Sequence, residues 1–468
     1  MGVIIFSSGK RIRILIYIGN MKILLITAEE WNDLVFGNGV LMNWFSKFNA
    51  EFAQIYTSPG IPYNDTCNLY FRISDGDMVR SFFGKKAGYV IQKSNSKNFA
   101  SMDNPKRKGV YGVMKKVSLW LNTPVILLRD FIWCYGRYDK DALKKFIDDF
   151  NPDIVFCPRY LTPALMRLEK LVSTMTNAPF VAFTADDEAS YREYSLSPLF
   201  WLRRIWIHHK FTNHLKTIGY KHYWTFSEDQ AMEYAEEYGI KTSTLYKCGD
   251  FPDMFVKKEV GKPIRMVYAG RLYCNRWKTL SEIGKALKEI NCNGERMVLD
   301  IYTTEKLTSE HKKALCQENS IYVHGRVTPA ELIDIYKKSD VALHVESFDR
   351  KYKLATRVSF STKIIDLMAS SCAILAVCWD QHAGYKYLKE HDAAFCISNY
   401  KELLPLLNHI CNNPTMIQQY AQKAYNCGIE NHSRKKIQDQ IRKIFELSIK
   451  DNNTICKLYE SKYNSALL

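Results

Sequence analysis

The sequence predicts an α/β protein built from two doubly wound, Rossmann-like domains that face each other. Short, nearly continuous apolar runs alternate with helical-period stretches along the chain. That is the pattern of parallel strands covered by helices on both faces. The alternation occurs twice, on either side of Phe251–Pro263, where Pro252, Gly261 and Pro263 suit a linker. The 468 residues are 47% hydrophobic and 24% charged. That is enough apolar chain for two or three domains, and it excludes wholesale disorder.

The elements follow in order. Residues 1–20 look like an upstream translation artefact or a short basic extension. Their apolar VIIF run precedes the charges and no small-residue cleavage site follows, unlike a signal peptide. Met21 opens MKILLIT, read as the first strand, and residues 21–255 form the first domain. Its expected strands are Ile23–Thr27, Phe52–Thr57, Asp153–Pro158, Phe180–Ala185, His222–Ser227 and Thr244–Cys248. Leu41, Trp44, Phe45 and Phe48 recur at helical spacing between the first two. The second domain, 256–430, is expected to carry strands at Ile264–Gly270, Met297–Thr303, Ile321–Gly325, Val341–Glu346, Ala373–Cys378 and Ala393–Ser398. Helices are expected between them near 278–290, 305–317, 328–339, 362–370 and 400–411. The charged helical tail, 431–468, is expected to cross back to the first domain.

The net charge of +16 favours an anionic partner. No recognition module accompanies it, so nucleic acid is not expected. The thirteen cysteines are scattered, several inside apolar runs (Cys157, Cys378, Cys396), and read as reduced, buried thiols in a cytoplasmic protein. No apolar run reaches the length of a membrane span.

Four features of the second domain carry chemistry. A strand ends at Gly270, and Arg271, Arg276 and Lys278 follow in the loop. Glycine lets a phosphate approach the backbone, and the cations pair with its oxygens. The alternative is a strand-end glycine with solvated basic residues. The second feature, Val323–Pro329, ends a strand at Gly325 and could face a nucleotide base, or be an ordinary turn. The third places Glu346 at a strand end, to accept from sugar hydroxyls or to face solvent. The fourth runs from Phe360 into a helix. Ser361 or Thr362 would cap it, Lys363 adds charge, and Asp366 is placed for vicinal ribose hydroxyls. Together they describe a nucleotide-diphosphate site.

These stretches also resemble the donor domain of GT-B-fold glycosyltransferases of the family-4 type, over about 260–430. The matching runs are the GRL turn, the HGRV segment with its Pro and Glu-Leu, Tyr336-Lys-Lys-Ser-Asp-Val-Ala-Leu, and STKIIDLMASS. The resemblance implies a nucleotide-sugar donor and retention of anomeric configuration. It implies diphosphate binding by Arg271 with Arg276 or Lys278, and ribose binding by Asp366. The family's paired glutamates are half matched. Asp366 replaces the second, and Val358 stands where the first would be.

In the first half, Gly37 and Gly39 resemble the family's glycine loop near the donor phosphate. Asp186 and Asp187 follow a strand, so either could orient the acceptor hydroxyl or act as its base, or else cap the next helix. Asp139-Lys-Asp141 has the DxD spacing of metal-dependent transferases, but it opens a helix, and capping is the better reading. The histidines are dispersed along the sequence, and neither metal nor cofactor is expected.

Tyr194–Ser227 contains no Asp or Glu. It mixes Phe200, Trp201 and Trp206 with Arg203, Arg204, Lys210, Lys216 and Lys221, as interfacial helices do. Lys115–Arg137 is similar. Both segments suit core helices with basic rims or peripheral attachment to an anionic membrane, here the inner face of the plasma membrane. A lipid-diphosphate-linked or other glycan acceptor would fit, in cell-surface polysaccharide synthesis. The rivals are a nucleotide-sugar 2-epimerase of similar build and a catalytically silent membrane-associated binding protein.

Overall fold

The computed structural model describes residues 2–4, 15–17, 20–33, 39–92, 122–158, 162–187, 189–255 and 259–465. Strands β1 (Gly2–Ile4) and β2 (Leu15–Tyr17) pair antiparallel in a ribbon separate from both main sheets.

The first domain holds an eight-stranded sheet. It is built from β3 (Met21–Thr27), β4 (Ala50–Tyr56), β5 (Leu69–Arg72), β6 (Tyr89–Gln92), β7 (Ile154–Pro158), β8 (Phe180–Thr184), β9 (His222–Thr225) and β10 (Thr242–Thr244). The order is β10-β9-β8-β7-β3-β4-β5-β6, parallel except for β6. β5 and β6 were not foreseen. They are four residues each and lie at the sheet edge, where LYFR and YVIQ lack the long apolar run of a central strand. The expected strand at Thr244–Cys248 is instead Thr242–Thr244, and the following residues turn toward the second domain.

The second sheet contains β11 (Ile264–Ala269), β12 (Met297–Tyr302), β13 (Ile321–His324), β14 (Val341–Val345), β15 (Ala373–Val377) and β16 (Phe395–Ile397). All are parallel, in the order β13-β12-β11-β14-β15-β16. Numbered within the domain this is 3-2-1-4-5-6, the Rossmann order. β14 and β15 are buried at every position, which explains their unbroken apolar sequences.

The chain returns at Ser433, where extended backbone separates the helix Thr415–His432 from Arg434–Ser465. Gly249 N donates to His432 O at 2.8 Å, so the outgoing and returning crossings are tied together. The last helix packs on the first domain. Phe445 sits 5.5 Å from the Phe156 ring and 5.7 Å from Trp224. Gln438 Nε2 donates to Trp44 O at 2.8 Å. The tail therefore clamps the two halves. No helix among the described residues is long and apolar enough to cross a membrane.

Candidate active site

In the second sheet, β11 and β14 are neighbours whose outer connections leave in opposite directions. A ligand crevice opens beyond the carboxyl ends of such strands. Gly270 immediately follows β11 there, one residue past the strand end. A Cβ built on it would overlap the Lys363 ammonium, so glycine is what admits that side chain. The ammonium lies 5.5 Å from the centre of the Tyr268 ring. Burial, and then the neighbouring Arg276 charge, pull the Lys363 pKa down to about 8.

Arg276 opens the helix Arg276–Ile290. Its Nε and Nη2 donate to Glu346 Oε2 and Oε1 at 3.0 and 2.6 Å, a bidentate fork. Its guanidinium stands 4.6 Å from the Tyr273 ring centre. Burial, the largest single influence, would lower the Arg276 pKa, but the Glu346 charge and hydrogen bonds, with smaller contributions from Tyr268 and Tyr273, together raise it. Glu346 is buried, with both oxygens committed, so it orients Arg276 instead of standing free for sugar hydroxyls. Arg271 is exposed but close enough to weigh on Lys363.

The remaining expected donor residues divide. Lys278 turns outward to Asp349 Oδ2 at 3.0 Å, which also accepts from Asn275 Nδ2 at 2.6 Å. Gly325 is exposed, with nothing near the position of a Cβ. Ser361 and Thr362 precede the helix Lys363–Ala369, but neither side chain caps it. Thr362 occupies the cap position in αR conformation, which turns its hydroxyl away from the first amides, and Ile364 N bonds to Ser361 O at 3.0 Å. Asp366 is half exposed one turn in, and its Oδ1 accepts from Lys247 Nζ of the first domain at 2.6 Å. Gly37 lies outside the described residues; Gly39 begins the helix Gly39–Phe45.

Asp186 and Asp187 follow β8 in the first domain. Asp187 is engaged by Ser190 Oγ at 2.6 Å and by Arg357 of the second domain. Arg357 also reaches both Glu233 oxygens, at 2.7 and 2.8 Å. Asp186 is open to solvent but ringed by protein. Crowding first, and then the Asp187 charge, raise its pKa, which suits a proton acceptor better than Asp187's ion pair does. Asp139 Oδ1 accepts from Ala142 N at 3.2 Å, so the DxD look-alike is a helix cap.

Lys247 and Arg357 had no local signal in the sequence. Each acts through a carboxylate on the other domain, more than a hundred residues away. Tyr268, which buttresses Lys363, reads as an ordinary strand residue.

With this geometry in place, comparison defines the class. Residues 269–443 match a family model described as Glycosyl transferase-like. No curated protein matches the sequence. Among solved structures, the N-terminal domain of trehalose-6-phosphate phosphatase from Candida albicans is similar. Its TM-score is 0.57 at 13% identity, over 94% of this chain and 99% of that one. HepE of Anabaena, solved in complex with UDP, gives 0.56 at 11%, over 91% and 100%. Sucrose-phosphate synthase from Thermosynechococcus elongatus gives 0.54 at 10%, over 92% and 99%. The chain therefore has the GT-B fold. Its second domain carries the glycosyltransferase-like family match, and it is in that domain that the cationic crevice lies.

Proposed function

We propose that this protein transfers a sugar from a nucleotide-sugar to a glycan or lipid-diphosphate-linked acceptor, with retention of configuration, in cell-surface polysaccharide synthesis. The observation that carries the reading is the Lys363 ammonium seated against Gly270 beside an Arg276 fixed by Glu346. The donor diphosphate lies between these cations, with Arg271 at the rim. They meet the charge that develops as the nucleotide departs, so no metal is required. Asp366 takes the ribose, exchanging Lys247 for hydroxyls. Asp186 faces the acceptor hydroxyl across the cleft, and closure of the domains supplies positioning.

The acceptor side lies on the first domain. The helices Asn122–Tyr135 and Pro198–Ile218 leave an open groove of about 870 Å³ between them. Leu128, Phe131, Tyr135, Leu199, Leu202 and Ile205 are exposed around it, and Arg167, Lys170 and Lys210 line it. This mixture suits peripheral attachment to the inner face of an anionic plasma membrane. Part of the segment 115–137 lies outside the described residues.

A donor screen with a nucleotide-release readout tests the reading, since water accepts sugar slowly. Release from one nucleotide-sugar, lost in Arg276→Ala and Lys363→Ala, is expected. Conversion of the donor to an epimer without release would mark a 2-epimerase. Failure to bind any nucleoside diphosphate would leave a silent binding protein.

A further inference from the structure

Directly beneath the donor crevice three metal-binding side chains meet in the interior. His344 is on β14, and Cys378 immediately follows the neighbouring strand β15. His382 is the cap residue of the helix Ala383–Glu390. β14 and β15 run parallel, with His344 opposite Ala376, so Cys378 emerges two residues beyond that pairing. One donor atom from each of the three lies within 4.8 Å of the others, and all three side chains are buried. His344 Nε2 is buried without a hydrogen-bond partner, an arrangement proteins rarely leave uncompensated. Gly384 keeps the space beside the donors open, since a Cβ there would stand 3.2 Å from both His344 Nε2 and His382 Cε1.

We propose that His344, Cys378 and His382 form a binding site for a soft d10 cation, copper(I) by preference over zinc. Two imidazoles and a thiolate are the ligands such ions select. Charge decides between them. Binding releases the Cys378 thiol proton to solvent, so a monovalent ion with one thiolate leaves the cluster neutral. Zinc would leave one positive charge below Arg276 and Lys363. The nearby carboxylate, Glu346, is already paired with Arg276.

The ion would tie two strand ends to the start of a helix. His382 Nδ1 accepts from Gly384 N at 3.1 Å, which fixes the ring at the helix start. The ion lies below the donor residues and takes no part in transfer, so the site stands whether or not the transferase reading does.

The test uses untagged full-length protein, loaded anaerobically with copper(I) or with zinc and dialysed. About one copper per chain is expected, with a Kd tighter than about 1 μM in competition with a copper(I) chelator. X-ray absorption at the copper edge should show one sulfur and two imidazole nitrogens. Cys378→Ala and His344→Gln should each lower the affinity at least tenfold while nucleoside-diphosphate binding persists. Should either variant not fold, the absorption spectrum of the wild type decides alone. Tight zinc with weak copper would overturn the charge argument. Retention of neither ion, or a shell without sulfur, would overturn the site.

Discussion

The Lys363 ammonium occupies the space a side chain on Gly270 would need, so the strand-end glycine and the helix-start lysine form one unit. Gly270→Ala forces the lysine terminus aside, and because that terminus is the flexible end of its chain, the fold yields little. We expect kcat/KM to fall about tenfold or more, the equivalent of about 1.4 kcal/mol of lost transition-state contact. The melting temperature should stay within a few degrees. A large loss of stability with unchanged kcat/KM would contradict this pairing.

The same crowding gives a pH prediction. Lys363 is held near a pKa of about 8, below the ordinary lysine value. In the proposed function its charged form binds the diphosphate, so the free enzyme should lose donor affinity as pH rises through 8. kcat/KM for the donor should therefore fall on the alkaline side, with that pKa reporting the free enzyme. Lys363→Arg keeps a charge throughout and should remove this alkaline limb.

Arg276 and Glu346 are both largely buried. Removing one partner leaves an uncompensated charge, so Glu346→Gln should cost about 3 kcal/mol in chemical denaturation. Nucleotide affinity should fall in the same variant, because Arg276 loses the fork that aims it. If Glu346 instead served only the donor sugar, stability would be unchanged.

Much of this architecture could be read from sequence. The second sheet and the centre of the first followed from buried parallel strands, while the edge strands β5 and β6 did not, and Asp139 was separable from a metal motif because a helix follows it. What sequence could not give was pairing between distant elements, across the cleft or within one domain. Asp366 reads as a free ribose ligand, yet Lys247 holds it. Asp187 reads as equivalent to Asp186, yet Arg357 claims it. Glu346 reads as a sugar-hydroxyl acceptor or a solvated carboxylate, yet both its oxygens are taken by Arg276. Such commitments arise when distant elements meet, and no local periodicity encodes them.

Lys247 and Asp366 join the domains 2.6 Å apart. The Asp366 side chain is half exposed and Lys247 about a quarter exposed, so solvent screens the pair and it contributes about 1 kcal/mol. Lys247→Ala should barely move the melting temperature. It should tighten nucleoside-diphosphate binding severalfold by calorimetry, because ribose no longer displaces the lysine. Weaker binding in this variant would make Lys247 a ligand of the nucleotide and not its competitor.

The outward apolar residues of the first domain predict membrane behaviour. Leu199, Leu202 and Ile205 stand exposed on one helix, and Leu128 and Phe131 on its neighbour. Inserting such side chains removes apolar area from water, at about 25 cal/mol per Å², while the basic rim adds attraction to anionic headgroups that salt screens. Flotation with vesicles containing phosphatidylglycerol should carry the protein at low salt and less of it at high salt. Leu199→Asp with Leu202→Asp should reduce it roughly tenfold or more, since two leucines lose insertion and two like charges are added. Nucleoside-diphosphate affinity, set in the other domain, should not change. Equal flotation of this variant and the wild type would mean the two helices face an acceptor or another protein instead of lipid.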